Sequence, residues 1–375
     1  MKMTLRWFGD EHDSVPLKYI RQIPGVKGVV TSLPDIPAGD VWPAEEIRAN
    51  NEQVEAAGLS LEGIESVNVH EDIKLGRPDR DRYIENYIRT MAHISNEGIR
   101  LICYNFMPVF DWTRSDLAKV LEDNSRVLSY EAGIMETANP MGMLAHMESK
   151  AEGFSLPGWE PERLKVLKEL FELYEGFTED DLFRNLKYFL DAIIPACDKY
   201  GVKMALHPDD PPWSVFGLKR IVTSEEKIAR LLSMCDSPWS GLTFCTGSLG
   251  ADKQNDLPAM IRRFGDRIHF AHIRNVRYRK DHDFDESAHL SSEGSLDMYE
   301  IIKAFHDISF SGIVRPDHGR MIWGESARPG YGLYDRAIGV AYMLGLWEAV
   351  EKGKKHEAYI GRNQKGYSAM ESRRV

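Results

Sequence analysis

Four short apolar segments decide the expected fold: KMALH at residues 203–207, GLTFC at 241–245, IHFAH at 268–272 and GIVRPD at 312–317. Each has the length and composition of a buried strand, and stretches that could hold amphipathic helices separate them. Four similar segments come earlier in the chain, at Met3–Phe8, Gly28–Ser32, Ser60–Glu65 and Leu101–Asn105. Eight strands that alternate with helices predict an α/β fold, a closed (β/α)8 (TIM) barrel of parallel strands.

Size and charge limit the function classes. The 375 residues suit a single barrel domain over 1–375. The formal net charge of -11 argues against nucleic acid or an anionic membrane surface as a partner, because both need a basic face. The sequence has neither an apolar run long enough to span a membrane nor the apolar core of a signal peptide. We therefore expect a cytoplasmic protein whose four cysteines are reduced.

The connection between the fourth and fifth strands is far longer than the others. We interpret residues 107–165 as a helical insertion after strand 4 that forms a lid within the barrel domain. Long excursions in barrels usually arise in the loops after strands, over the active site. A surface insertion without a role is the alternative.

The four quoted segments each end in a residue type that binds metal ions, namely His207, Cys245, His272 and Asp317. The C-terminal ends of parallel barrel strands meet in one mouth, so these neighbouring side chains should converge. Two imidazoles, a thiolate and a carboxylate suit iron, manganese, cobalt or zinc rather than calcium or magnesium. One such residue alone would be an ordinary buried polar group, but four at successive strand ends indicate a shared ion. By contrast, His269 should face the helices, because it lies three residues before His272.

Candidates for proton transfer follow the last strand. His318 comes directly after the aspartate and can act as an acid or a base near neutral pH. A capping or orienting role is the alternative. Tyr331, between Gly330 and Gly332, suits a loop that presents a phenol to the site, and Tyr334 in the same loop is its rival.

Further residues at strand ends are candidates for binding substrate. Arg274 and Asn275 follow the seventh strand, and Arg274 could hold a carboxylate by a forked pair of hydrogen bonds or form a salt bridge within its loop. Asp209 and Asp210 are candidates for orienting His207. Side chains across the mouth could line a sugar pocket: Trp7, Asp10, Glu65 and Asn105.

At these positions the sequence resembles the D-mannonate dehydratase family, over essentially the whole chain. The segments that carry the resemblance are MKMTLRWFG at 1–9, ALHPDDPP at 205–212, FCTGSLG at 244–250, HFAHIRN at 269–275, RPDHGR at 315–320 and RPGYGLYDRA at 328–337. The resemblance implies a metal-dependent barrel akin to the xylose-isomerase-like barrels. It further implies Mn2+ or Fe2+ as cofactor, D-mannonate as substrate, 2-keto-3-deoxy-D-gluconate as product in glucuronate catabolism, and a homodimer or higher homo-oligomer.

The resemblance also implies roles for individual residues. The metal ligands are His207, Cys245, His272 and Asp317, and the proton-transfer pair is His318 with Tyr331. Removal of the hydrogen beside a carboxylate gives an enediolate, whose charge a metal bound to substrate oxygens stabilises. One group takes that proton while another gives one to the departing 3-hydroxyl. The sequence does not say which group is the acid.

Three other functions compete with this interpretation. A metal-dependent sugar isomerase or epimerase would move a proton without losing water. A non-catalytic sugar-acid sensor would bind without turnover, and a multinuclear zinc nuclease would need more ligands. Glycine-rich nucleotide or phosphate loops and the Gly-x-Ser-x-Gly elbow are missing from the sequence, which disfavours nucleotide cofactors and serine hydrolysis.

Overall fold

The computed structural model describes residues 1–137 and 167–371, with side chains described as far as residue 355. The strands, numbered in chain order, are β1 (Lys2–Arg6), β2 (Gly28–Thr31), β3 (Ser60–Glu65), β4 (Leu101–Tyr104), β5 (Asp116–Val120), β6 (Arg126–Tyr130), β7 (Lys203–Leu206), β8 (Ser240–Cys245), β9 (Ile268–Ile273), β10 (Asn275–Lys280), β11 (Asp283–Ser287) and β12 (Ile313–Pro316). The helices are α1 (Leu17–Ile20), α2 (Ala44–Ala56), α3 (Glu71–Leu75), α4 (Arg80–Asn96), α5 (Ala132–Thr137), α6 (Leu167–Tyr174), α7 (Glu179–Tyr200), α8 (Glu225–Met234), α9 (Thr246–Leu249), α10 (Leu257–Phe264), α11 (Met298–Asp307) and α12 (Leu333–Glu371).

Eight parallel strands close into a barrel in the order β1-β12-β9-β8-β7-β4-β3-β2. These are the eight strands predicted from the sequence, and every strand end lies within two residues of its prediction. Alternation along the strands separates two apolar layers. The inner layer is a small cluster inside the barrel, formed by Val30, Leu101, Cys103, Ala205, Phe270 and Ile313. The (β/α)8 barrel expected from the sequence is therefore confirmed.

Helix α7 shows how local sequence sets an element of the outer layer. Thr178 and Asp181 form a reciprocal capping box at its start, and Gly201 adopts a left-handed φ of 64° at its end. A proline inside a helix usually kinks it or ends it early, but α7 contains Pro195 and continues to Tyr200. Pro195 lies on the exposed face, where water can bond the carbonyl that loses its partner.

The insertion after β4 departs from its expected helical character. Its described beginning forms the strands β5 and β6, which join β10 and β11 in a four-stranded antiparallel sheet of order β10-β11-β6-β5. Helix α5 follows, and residues 138–165 of the predicted insertion lie outside the described residues. Strand pairing across the mouth decides this structure, because β6 hydrogen-bonds to β11 from the distant loop after β9. The lid remains a prediction.

His269 occupies the helix-facing side of β9, as expected from its spacing to His272. It is buried, and its Nε2 atom has no hydrogen-bond partner among the described residues. Burial, with smaller contributions from the nearby Lys203 and Arg267, lowers the pKa of His269 to about 3. The folded protein therefore keeps this imidazole neutral over most of the acidic range.

This burial predicts a defined loss of stability in acid. Below about pH 6.5 the unfolded chain binds a proton at His269 that the folded chain rejects until about pH 3. Above the pKa of the unfolded chain, the stability contributed by this group is fully present. As the pH is lowered from about 6.5 toward about 3, the free energy of unfolding falls by about 1.4 kcal/mol per pH unit. Urea unfolding at about pH 7 and about pH 5 should show a smaller loss of unfolding free energy in His269→Leu than in the wild type. Equal losses would contradict this assignment.

Among the described residues, no helix combines the length and apolar character needed to span a bilayer.

Candidate active site

The structure brings the four predicted ligands together at the C-terminal mouth of the barrel. The donor atoms of His207, Cys245 and His272 all lie within 4.8 Å of one another. Asp317 joins them, with its Oδ2 atom 3.3 Å from Cys245 Sγ and its Oδ1 atom 3.6 Å from His272 Nδ1. Ligand atoms about 2.0–2.3 Å from one ion are themselves about 3–4 Å apart, and the donors of His207, Cys245 and His272 lie close enough together to share one ion.

Both imidazoles are oriented so that a nitrogen faces the other donors. His207 Nδ1 lies 2.7 Å from the carbonyl oxygen of Pro208, which fixes the hydrogen on Nδ1 and leaves Nε2 as an acceptor. His207 Nε2 lies 3.2 Å from His272 Nδ1. On its far side, His272 Nε2 lies 3.4 Å from a Glu65 oxygen that can accept its hydrogen. Such hydrogen bonds on the far nitrogen are typical of metal-binding histidines.

Arginines surround the candidate carboxylate ligand. Arg274 Nε and Arg315 Nη2 lie 2.6 Å and 2.8 Å from the two oxygens of Asp317. Burial alone would raise the pKa of Asp317, but the cationic groups around it, among them His318 and Arg315, hold it well below its usual range. Asp317 is therefore a carboxylate that is ready to bind a cation at neutral pH.

A second group of possible ligands shares one histidine with the first. Donor atoms of Glu65, Cys103 and His272 also lie within 4.8 Å of one another, deeper in the barrel. Burial raises the pKa of the Cys103 thiol well above its usual value, and the neighbouring Glu65 raises it further. A thiol must lose its proton to bind a metal. Burial and the nearby carboxylate therefore disfavour metal binding by Cys103.

The predicted proton-transfer pair is in direct contact. His318 Nε2 lies 3.1 Å from the hydroxyl oxygen of Tyr331, and His318 Nδ1 lies 2.9 Å from both oxygens of Glu286. Burial raises the pKa of Tyr331 above its usual value, so the phenol keeps its proton. Tyr334 is 43% exposed and packs against Trp323, whereas Tyr331 is 5% exposed. The structure thus places Tyr331, and not Tyr334, beside His318.

Glu286 is the main residue of this site that the sequence did not reveal. It lies on β11, in the antiparallel sheet, and receives two hydrogen bonds from Arg114 at 2.6 Å and 3.1 Å. Burial alone would raise the pKa of Glu286, but Arg274 and His318 bring it to about 2. No motif marks Glu286, because its acidic segment, DFDES, resembles ordinary surface sequence.

The beginning of the insertion contributes directly to the site. Trp112 packs edge-on against His318, with ring centroids 5.6 Å apart. Arg114 is fully buried and forms a forked ion pair with Asp210, at 2.7 Å and 3.0 Å. The described beginning of the insertion therefore packs against residues of the site.

The predicted contact of Trp7 with the mouth is corrected by the structure. The mouth is lined instead by its neighbours Arg6 and Phe8. Trp7 is fully buried among the apolar residues between the strands and the helices. Side chains alternate along a strand, so an error of one residue moves a side chain to the opposite face.

Arg274 and Asn275 also differ from their predicted substrate-binding roles. The guanidinium of Arg274 bonds Asp317, Asp210 and Glu286, at 2.6, 2.6 and 3.2 Å, which is the alternative of a structural salt bridge. The amide of Asn275 bonds backbone groups of the following loop, including both the N–H and the carbonyl of Leu296. With these groups occupied by protein partners, neither side chain is free to bind substrate in this arrangement.

The remaining candidates divide in the same way. Glu65 and Asn105 line the mouth as expected, whereas Asp10 is exposed and bonds Gln53. Asp209 accepts hydrogen bonds from the backbone of Ile221 and Val222 rather than orienting His207. Asp210 pairs with Arg114 and Arg274 instead.

Two adjoining cavities open at the mouth. The smaller, of about 40 Å³, is bounded by residues of the candidate metal and proton-transfer groups, including His207, Asp317, His318 and Tyr331. The larger, of about 250 Å³, lies between the loops after β1, β2 and β3. Both cavities are lined by Arg6, Phe8 and Ser66.

Comparisons with known proteins place this geometry in a family. The family model described as D-mannonate dehydratase (UxuA) matches residues 1–357. A mannonate dehydratase of Thermotoga maritima is 57% identical over 357 residues, covering 95% of this chain and 99% of the relative. The crystal structure of mannonate dehydratase from Streptococcus suis serotype 2 has 43% identity and a TM-score of 0.84, covering 94% of this chain and 96% of that chain. A xylose isomerase domain protein from Planctomyces limnophilus, at 11% identity, a TM-score of 0.51, and 94% and 97% coverage, shares the fold alone.

Proposed function

The chain belongs to the D-mannonate dehydratase family, and from this premise we propose that it is a hydro-lyase that converts D-mannonate to 2-keto-3-deoxy-D-gluconate and water. One observation carries the proposal. The convergent donors His207, Cys245, His272 and Asp317 lie beside the contacting pair His318 and Tyr331 in one buried mouth. Elimination of water beside a carboxylate needs this combination of a cation site, a base and an acid.

We propose Mn2+ or Fe2+ as the cofactor, held by those four residues. The mixed nitrogen, sulfur and oxygen donors suit a borderline divalent metal. Bound there, the ion would supply Lewis-acid stabilisation of negative charge on the substrate. Arg274 and Arg315, which lie within 2.8 Å of Asp317, would fix the orientation of that ligand.

We assign the base to His318 and the acid to Tyr331. Glu286 remains ionised at neutral pH, since its pKa is about 2, and so accepts the hydrogen on His318 Nδ1. The lone pair of His318 is then on Nε2, where it can take the proton beside the substrate carboxylate. Tyr331 keeps its phenolic proton and can give it to the departing hydroxyl. Glu286 acts as a positioning residue that fixes the orientation and tautomer of the imidazole.

The direct test is an assay of the purified, metal-loaded protein with D-mannonate. Formation of a 2-keto acid, loss of that activity on chelation, and its return with Mn2+ or Fe2+ are the expected results. Release of an epimer or isomer without a 2-keto acid would indicate a sugar isomerase or epimerase. Binding of D-mannonate without turnover would indicate a non-catalytic sugar-acid sensor. Either outcome would overturn the proposed reaction.

Assembly and location remain predictions. We propose a homodimer or higher homo-oligomer, as the family resemblance implies, and a cytoplasmic location, as suits an enzyme of sugar-acid catabolism. Sedimentation of the purified protein and fractionation of cells would test these two points.

A further inference from the structure

The arginines at the mouth differ in how they are paired. Arg114, Arg274 and Arg315 each contact carboxylates of the protein within 2.8 Å. Arg6 has no carboxylate within 4.0 Å among the described residues. It is the arginine of this cluster whose charge the protein leaves without a close anion.

Arg6 is nevertheless held rigidly in a buried position. It is only 5% exposed, and its Nη2 atom donates a hydrogen bond of 2.8 Å to Ser32 Oγ. Its guanidinium lies over the Phe8 ring, 4.4 Å from the centroid, and Phe8 in turn packs edge-on against Tyr331 at 4.8 Å. Arg6 is therefore linked by direct packing to the candidate acid.

The other terminal nitrogen of Arg6 has no partner among the described residues. Arg6 Nη1 is buried and makes no hydrogen bond to any described residue. The side chain lines both the small cavity of the reacting groups and the larger cavity beside it. A buried charged donor left unsatisfied is unfavourable, and because the Arg6 side chain lines both cavities, a ligand bound there could supply the acceptor.

A second cation lies close by. The guanidinium of Arg328 also lies against the Phe8 ring, 4.1 Å from its centroid. Burial lowers the pKa of both Arg6 and Arg328, which is the signature of cations that are removed from water and would be stabilised by an anion. The surroundings of Phe8 are therefore the part of the mouth that is suited to a negatively charged group.

We propose that Arg6 binds the carboxylate of the substrate acid and thereby sets the preference of the site for acids over neutral sugars. The inference rests on the proposed function, in which the substrate is a sugar acid. It replaces the role first predicted for Arg274. An arginine already paired with protein carboxylates gains little from one more, whereas an unpaired buried arginine gains a charge-assisted hydrogen bond.

Binding rather than turnover provides the sharpest test. In Mn2+-loaded protein carrying His318→Asn to prevent turnover, calorimetry would compare D-mannonate with its neutral amide. Adding Arg6→Gln should weaken binding of the acid by about 100-fold and change binding of the amide by less than about 3-fold. Arg6→Lys should keep part of the preference, and added guanidinium ion should restore part of it in Arg6→Gln.

Several outcomes would overturn the assignment. If Arg6→Gln weakens the binding of the acid and of the amide equally, Arg6 contacts hydroxyl groups of the ligand or only supports the fold. If the acid preference persists unchanged, another group binds the carboxylate. Metal content and the thermal unfolding midpoint show whether each variant is folded. If Arg6→Gln does not fold, the test uses Arg6→Lys, for which the ratio of the affinities for the acid and the amide is measured in the same way. If the wild type does not dehydrate D-mannonate, the proposed reaction is wrong. The preference for acids can still be tested by the same titration with another aldonate and its amide.

Discussion

Replacing His318 by Asn is expected to lower kcat for D-mannonate dehydration by about 10²–10⁴-fold while the bound metal remains. The imidazole supplies the proposed base at Nε2, 3.1 Å from the Tyr331 hydroxyl, and Asn has no group that can take its place. Turnover of 2-keto acid and metal content measured on the same preparation would test this. Loss of metal in parallel with activity would instead make His318 part of the metal site.

The two tyrosines of the same loop provide a matched control. Tyr331→Phe removes the hydroxyl that contacts His318, and Tyr334→Phe removes an exposed one. The first should lower kcat by about 100-fold or more, and the second should leave it unchanged. Equal losses of kcat in the two variants would contradict the assignment of Tyr331, rather than Tyr334, as the acid.

Hydrogen exchange at the carbon beside the carboxylate separates base from acid. In D2O, Tyr331→Phe should still exchange this hydrogen, because the base is intact, whereas His318→Asn should not. The reverse pattern would exchange the two assigned roles.

Replacing Cys245 by Ser is the second change for which we expect a very large effect. The thiol lies 3.3 Å from Asp317 and completes the donor set at the end of β8. A serine hydroxyl is a much weaker ligand for a borderline metal, since it does not ionise at neutral pH. Loss of an outer-shell partner already weakens metal binding by about 10–100-fold, so loss of a ligand should exceed this. Metal content and activity should fall together.

Cys103 allows the same substitution to be made next to the competing group of ligands. Cys103→Ser removes the sulfur that approaches Glu65 and His272 deeper in the barrel, where Thr243 Oγ1 is 3.1 Å from the thiol. This variant should retain its metal. If Cys103→Ser loses the ion and Cys245→Ser keeps it, the metal site lies in the barrel interior instead.

The convergence of the candidate ligands could be predicted because the barrel repeats one simple pattern. His207, Cys245, His272 and Asp317 stand at the ends of four neighbouring strands, and parallel strands must end at the same mouth. A local apolar run and its last residue were therefore enough to bring these side chains together. The same reasoning placed His269 on the outer face.

Loop residues escaped this reasoning. The two-residue period of a strand predicts which face each side chain takes. Trp7 lies one residue beyond the end of β1, and its predicted position facing the mouth is wrong, because Arg6 and Phe8 face the mouth instead. Arg274 lies at the mouth beside Asp317, yet it pairs there with carboxylates of the protein, and Asn275 bonds the backbone of a following loop. Sequence reasoning had no means to count those partners.

The sequence by itself determined the barrel and the convergence of the four candidate ligands at its strand ends, because short-range periodicity fixes both. The choice of Tyr331 over Tyr334 as the neighbour of His318 came from the structure. Only the tertiary structure decided which charges are already matched. Arg114 meets Glu286 across 172 positions of the chain, through an antiparallel sheet that no local pattern announces. The ion pairs of long charged side chains depend on distances and burial in the folded protein. In the part of the chain that the structure describes, Arg6 has no such pair, and we propose that it binds the substrate.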